Sequence, residues 1–245
     1  MTTIFTFALA LLFLIFTHRW TTHLFIGALV RLTGNLRVAM TLYALFILPG
    51  TVVHEVAHWL VALLLGVRAS LPHLLPSGVD AQGRMVLGYV QIERTDPVRH
   101  SLIGVAPLLA GSAMIAWIAS QVFTLPVPTL TQTEITGLET LFASLPSVFQ
   151  VADAWLYLYL LFTIANGMLP SPRDREAWLP VALFAGGIAL VVFLFVGIPQ
   201  FSAAVVAFLL AALGWLTFAF ILTAVLNTAA LVVLLPLNWL LRGGR

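Results

Sequence analysis

The chain has 245 residues, 61% of them hydrophobic and only 8% charged, with a mean hydropathy of +1.07. A soluble domain of this size needs far more charge to cover its surface, so the composition excludes that class. The net charge of +2 comes from Arg residues spread over several segments with no basic patch, which excludes nucleic-acid binding, and the lack of cysteine excludes a disulfide framework or a thiolate metal site. The expectation is an all-α polytopic integral membrane protein in the lipid bilayer of the plasma membrane. Its length allows about six transmembrane helices at ~20 residues each.

Residues 2–17, TTIFTFALALLFLIFT, form an apolar run close to the short limit for a span. No basic segment precedes it and no small-residue cleavage site follows, so it reads as a retained anchor. Residues 18–38 mix Arg19, Arg31 and Arg37 with Trp20, Leu24, Phe25 and Ile26, the composition of an interfacial segment. Residues 1–38 thus form an N-terminal unit, and His18 and His23 read as interfacial. A span from about Ala39 to Gly66 follows, in which Pro49 is expected to impose a bend.

Residues 67–100 are the most polar stretch. Within them Val86, Gly88, Val90 and Ile92 alternate with Leu87, Tyr89, Gln91 and Glu93, the period of a short strand or β-hairpin. A span at 101–123 has Gly104 and Pro107 in its first turns, and a loop at 124–147 holds Glu134 and Glu139. A fourth span at 148–169 ends in NGMLPSPRDREAW, where Pro170 and Pro172 stop the helix and deliver Asp174 on an irregular segment. Residues 39–178 make the core of this reading and 179–245 its C-terminal helices, with a span at 179–198 and one long tilted helix over 201–236. Trp239, Arg242 and Arg245 then mark an interface. The Arg-rich stretches 67–100, 170–178 and the C-terminus are expected on the cytoplasmic side, a placement with which the three Arg of 18–38 conflict.

The stretch LPGTVVHEVAHWLVALLLG, residues 48–66, sets His54, Glu55 and His58 in an otherwise apolar run. Residues four apart share a helix face, so both imidazoles can reach one metal ion with Glu55 beside it as a general base. Three ionisable groups in five residues of a span are costly unless they bind something. A buried polar cluster or a haem or metal carrier is the competing explanation. For Asp174 the competitor is pairing with Arg173 or Arg175, and for Asn166 it is a helix cap before Gly167. Asp153 reads as an interfacial residue and Asn227 as an interhelical hydrogen-bond donor.

HEVAHWLVALLLGVR, residues 54–68, resembles the HExxHxxxAxxxG signature of the site-2 protease type of intramembrane zinc metalloprotease. NGMLPSPRD, residues 166–174, is similar to that family's second motif. The resemblance implies one zinc ion held by His54, His58 and Asp174, with Glu55 catalytic. It also implies a substrate contact from Asn166, and the strand around Val86 to Ile92 is expected to offer its edge to an extended segment, with Val90 and Ile92 in contact. The implied activity is hydrolysis of peptide bonds in a membrane-spanning protein substrate near the cytoplasmic face. Arg175 follows Asp174 where the family usually has Gly, which leaves open a catalytically inactive scaffold or a subunit working with other membrane subunits.

Overall fold

A computed structural model describes residues 2–74, 76, 78–79, 85–126, 143–197 and 201–241. Glu134, Glu139, Arg84, Arg242 and Arg245 lie outside that set. The described chain is predominantly helical: α1 (Thr2–Thr33), α2 (Leu36–Phe46), α3 (Leu48–Leu64), α4 (Pro97–Gln121), α5 (Ala154–Gly167), α6 (Trp178–Val196) and α7 (Ala203–Leu240). Four of these, α1, α4, α6 and α7, are long and apolar enough to cross a membrane, and α2 with α3 makes a fifth if that pair, bent by 68°, is one span. Their length and hydropathy mark a membrane protein. Six spans are not reached, because α5 is a 14-residue helix, about 21 Å long. Its start is fixed by Asp153, whose left-handed backbone (φ 58°) ends a preceding 3-10 turn, Leu145–Gln150, and prevents one helix from running through.

No break occurs at residue 17, where the sequence predicts a change from anchor to interfacial segment. Two polar residues there, Thr17 and Thr21, face inward. Thr17 returns its hydroxyl to the Phe13 and Leu14 carbonyls, and Thr21 donates to the Asn227 carbonyl of α7 at 3.3 Å. The helix ends only at Thr33, and Asn35 then caps α2 by accepting from the Arg37 and Val38 amides.

The bend between α2 and α3 falls at Ile47, with Pro49 in the first turn of α3. Proline has no N–H and its ring crowds the carbonyl four residues back, so the α2 ladder cannot continue through it. Tyr159 of α5 donates to the Phe46 carbonyl at 2.8 Å, satisfying an acceptor at the break. At its far end α3 closes through Gly66 (φ 70°), with the Gly66 amide on the Leu63 carbonyl and the Val67 amide on that of Ala62.

Regular β-structure among the described residues is limited to two strands of two residues, β1 (Gly78–Val79) and β2 (Met85–Val86), paired antiparallel with Gly78 opposite Val86. Two isolated antiparallel bridges, Ala69 to Ile92 and His73 to Tyr89, continue the same excursion towards the helices. Asp96 then caps α4 through the Val98 and Arg99 amides, with Pro97 in the first turn.

The apolar core gathers α1, α4, α5 and α7 around Leu14, Ile115, Phe123, Leu161, Met168 and Phe220. A smaller cluster of Ala62, Val67 and Ile103 joins the end of α3 to α4. Within the α7 helix Asn227 is wholly buried, yet its side-chain amide has no partner among the described residues, so it is not the interhelical donor the sequence predicts. The α1–α7 seam is tied instead by Asn238, which donates to the Leu24 and Leu234 carbonyls and accepts from Arg31.

Candidate metal centre

Three helices meet at the HExxH segment, and glycines set how closely. A Cβ on Gly50 of α3 would lie 1.9 Å from the Thr163 carbonyl oxygen of α5, and one on Gly167 would lie 2.7 Å from the Gly50 carbonyl carbon. Only residues without a Cβ fit at that crossing. A Cβ on Gly104 of α4 would meet the Asp174 carbonyl oxygen at 2.1 Å, so the segment after α5 seats directly on the α4 backbone. Close approach on three sides brings together groups that are up to 120 residues apart in sequence.

His54 Nδ1 lies 2.7 Å from the Gly167 carbonyl, and His58 Nδ1 lies 2.8 Å from that of Ile103. A carbonyl only accepts, so each Nδ1 carries a hydrogen, and in the neutral ring each Nε2 then offers a lone pair. Both carbonyls are free for reasons written in the sequence. Pro107, four residues after Ile103, has no N–H to give it, and Gly167 belongs to the last turn of α5, whose carbonyls lack helical partners.

The two Nε2 atoms face each other at 3.0 Å. Asp174 completes the group, with Oδ1 at 3.1 Å from His58 Nε2 and Oδ2 at 3.5 Å from His54 Nε2. Three acceptors turned on one another need a positive charge between them. The edge of a tetrahedron of ligands at the usual zinc–nitrogen distance is about 3.3 Å, and the observed separations bracket it. His54, His58 and Asp174 thus form a group that could hold a metal ion.

Asp174 is turned inward by its own loop. Its Oδ2 accepts from the Ser171 amide at 2.5 Å, and its amide donates to the Ser171 hydroxyl at 3.3 Å. Arg173 and Arg175 are exposed, and Arg175 Nε reaches the Ser171 carbonyl at 3.4 Å. Among the described residues neither guanidinium pairs with Asp174.

Glu55 is buried on α3, one turn beyond Thr51, and makes no hydrogen bond among the described residues. It lies within electrostatic reach of His54, His58 and Asp174. The β-excursion covers it: a Cβ on Gly88 would sit 2.9 Å from Thr51 Cγ2 and 3.0 Å from Glu55 Cγ. Along that excursion the odd-numbered residues bond inward, Tyr89 with His73 and Gln91 with Ser70. Val90 and Ile92 turn their backbone groups to the other edge, where no described residue meets them.

Asn166 is buried, one residue before the Gly167 whose carbonyl holds the His54 ring. Its side chain is engaged with Phe162 and with His18 of α1, so His18 is part of the site's surroundings and only His23 is exposed as the sequence predicts. The reading of sequence missed Gly50, Gly88, Gly167 and the Ile103 carbonyl. Of these, only the last left a trace, in Pro107 four residues later. Comparison with protein-family models, with curated proteins and with solved structures finds no match to this chain.

Proposed function

We propose that the chain is a multi-pass, zinc-dependent intramembrane endopeptidase of the plasma membrane, hydrolysing peptide bonds of membrane-spanning protein substrates near the cytoplasmic face. The observation that carries the reading is the convergence of two imidazole Nε2 atoms and one carboxylate, each ring held by a main-chain carbonyl on its far nitrogen. Two nitrogens and one oxygen suit zinc and leave a fourth position for the reaction. When bound, zinc supplies Lewis acidity that makes water nucleophilic and polarises a carbonyl. Glu55 takes the proton of the attacking water and returns it to the departing amide nitrogen. Among the described residues it has no hydrogen-bond partner, which keeps it available for that transfer.

A membrane helix hides its peptide bonds in its own ladder, so a substrate must be unwound to be cut. The outer edge at Val90 and Ile92, next to the Gly88 that lies on Glu55, offers main-chain partners for an extended segment. The test has two arms. Purified protein is expected to hold one zinc per chain by elemental analysis, lost in His58→Ala. Glu55→Gln is expected to keep the metal and lose cleavage of membrane substrates by at least about a hundred-fold. Undiminished cleavage by Glu55→Gln would falsify the mechanism, and a metal-free, folded protein would turn the assignment to a scaffold.

A further inference from the structure

His18 stands in the middle of α1, outside the three helices that carry the metal group, yet its Nδ1 is 2.8 Å from Asn166 Oδ1. The other end of that amide, Nδ2, donates to the Phe162 carbonyl at 2.8 Å. Since a carbonyl cannot donate, the NH2 must face Phe162 and the amide oxygen must face the ring. His18 Nδ1 therefore carries a hydrogen and gives it to Asn166. The rotation of α1 that aims the ring this way is held by Thr21, whose hydroxyl donates across to the Asn227 carbonyl of α7, and Thr17 on the same side of the helix is buried as well.

A side-chain amide has two donors and two acceptor lone pairs. Phe162 uses one donor and His18 one lone pair, so one of each remains, in an orientation that cannot be reversed without setting oxygen against oxygen at Phe162. An extended polypeptide presents the matching complement, one C=O and one N–H per residue. Asn166 is also one residue from Gly167, whose carbonyl orients the His54 ring. We propose that His18 is a positioning residue: it locks the Asn166 amide so that its remaining donor and acceptor fit one direction of an extended peptide backbone lying beside the metal ligands. This rests on the peptidase reading and adds to it the orientation of the substrate and a role for α1.

The test uses the full-length, detergent-solubilised, zinc-loaded protein and two probes. Acetohydroxamate can engage only the metal, whereas an extended tetrapeptide hydroxamate adds a backbone. His18→Leu is expected to weaken the tetrapeptide hydroxamate about ten-fold, the scale of one well-placed hydrogen bond in a shielded site, and to leave acetohydroxamate unchanged. His18→Asn, whose amide nitrogen can stand where Nδ1 stands, is expected to restore most of the loss. Equal weakening of both probes, no weakening of either, or no rescue by His18→Asn overturns the proposal. A wild-type protein that binds neither probe overturns the metal reading first and this one with it, a distinguishable result. Ring 15N shifts of His18 in the wild-type protein need no variant to fold. They are expected to show the Nδ1–H tautomer, and an Nε2–H tautomer sinks the proposal.

Discussion

The helices α4 and α6 are both apolar enough for a membrane, with mean hydropathy of 2.0 and 2.4 over their candidate spans, but they are used in opposite ways. About half of the α4 span is buried inside the protein, against Asp174, Met168 and the end of α3, whereas among the described residues of the α6 span none is. Glycine shows the difference best. Gly104 and Gly111 of α4 each have backbone or side-chain atoms where a Cβ would go, while Gly186 and Gly187 of α6 face open space. Hydropathy reports preference for lipid over water. What a membrane helix packs on is decided by where it is small.

The comparison breaks first, if it is wrong, at Gly104. One methyl there is expected to push Asp174 off α4, so Gly104→Ala should take bound metal from one ion per chain to none by elemental analysis, while Gly186→Ala in α6 keeps it. Next comes the crossing of α3 and α5. Gly50→Ala drives a methyl into the Thr163 carbonyl and is expected to cost about 3 kcal/mol in stability, read as a lowered thermal midpoint in detergent. Gly187→Ala should leave that midpoint unchanged or slightly raised.

A smaller effect sharpens the account of α4. Pro107→Ala returns an N–H to the Ile103 carbonyl and makes it compete with the His58 ring. Metal affinity should fall about ten-fold with the fold intact, as expected for loss of an outer-shell partner, in a chelator competition. Unaltered affinity would mean that the missing N–H has no bearing on the ring. Least affected should be Arg173→Gln and Arg175→Gln, within about 0.5 kcal/mol of wild type in metal binding, because both side chains are exposed and, among the described residues, neither pairs with the carboxylate. Markedly tighter metal binding in either variant would reveal the competition the sequence raises.

What could be read from the chain alone was what depends on short spacing. His54 and His58 are four apart on one helix, and that fixes their common face whatever surrounds them. Asp174 was reachable only through the Pro-x-Pro segment and the likeness it carries, since nothing local says that a turn 116 residues beyond His58 comes back to it. The shortness of α5 was hidden because Asp153 adopts a left-handed backbone that its residue type seldom requires. The segment 18–38 misled for another reason: His18 and Thr21 have the polarity of an interface but spend it on an amide and a carbonyl inside the protein. Composition cannot tell a polar residue facing headgroups from one facing a neighbouring helix.

The acceptors behind His54 and His58 are both peptide carbonyls, and this has a bearing on charge and on heredity. With two neutral rings and one anionic ligand, a divalent cation would keep a formal surplus of +1, since nothing behind the rings adds a second anion. Such an arrangement favours an electrophilic centre over one tuned for tight storage. It is also invisible to a scan of side chains, because truncating Ile103 removes no oxygen. The outer layer of this centre would be inherited through the backbone, and behind His58 the codon that guards it is a proline one turn away.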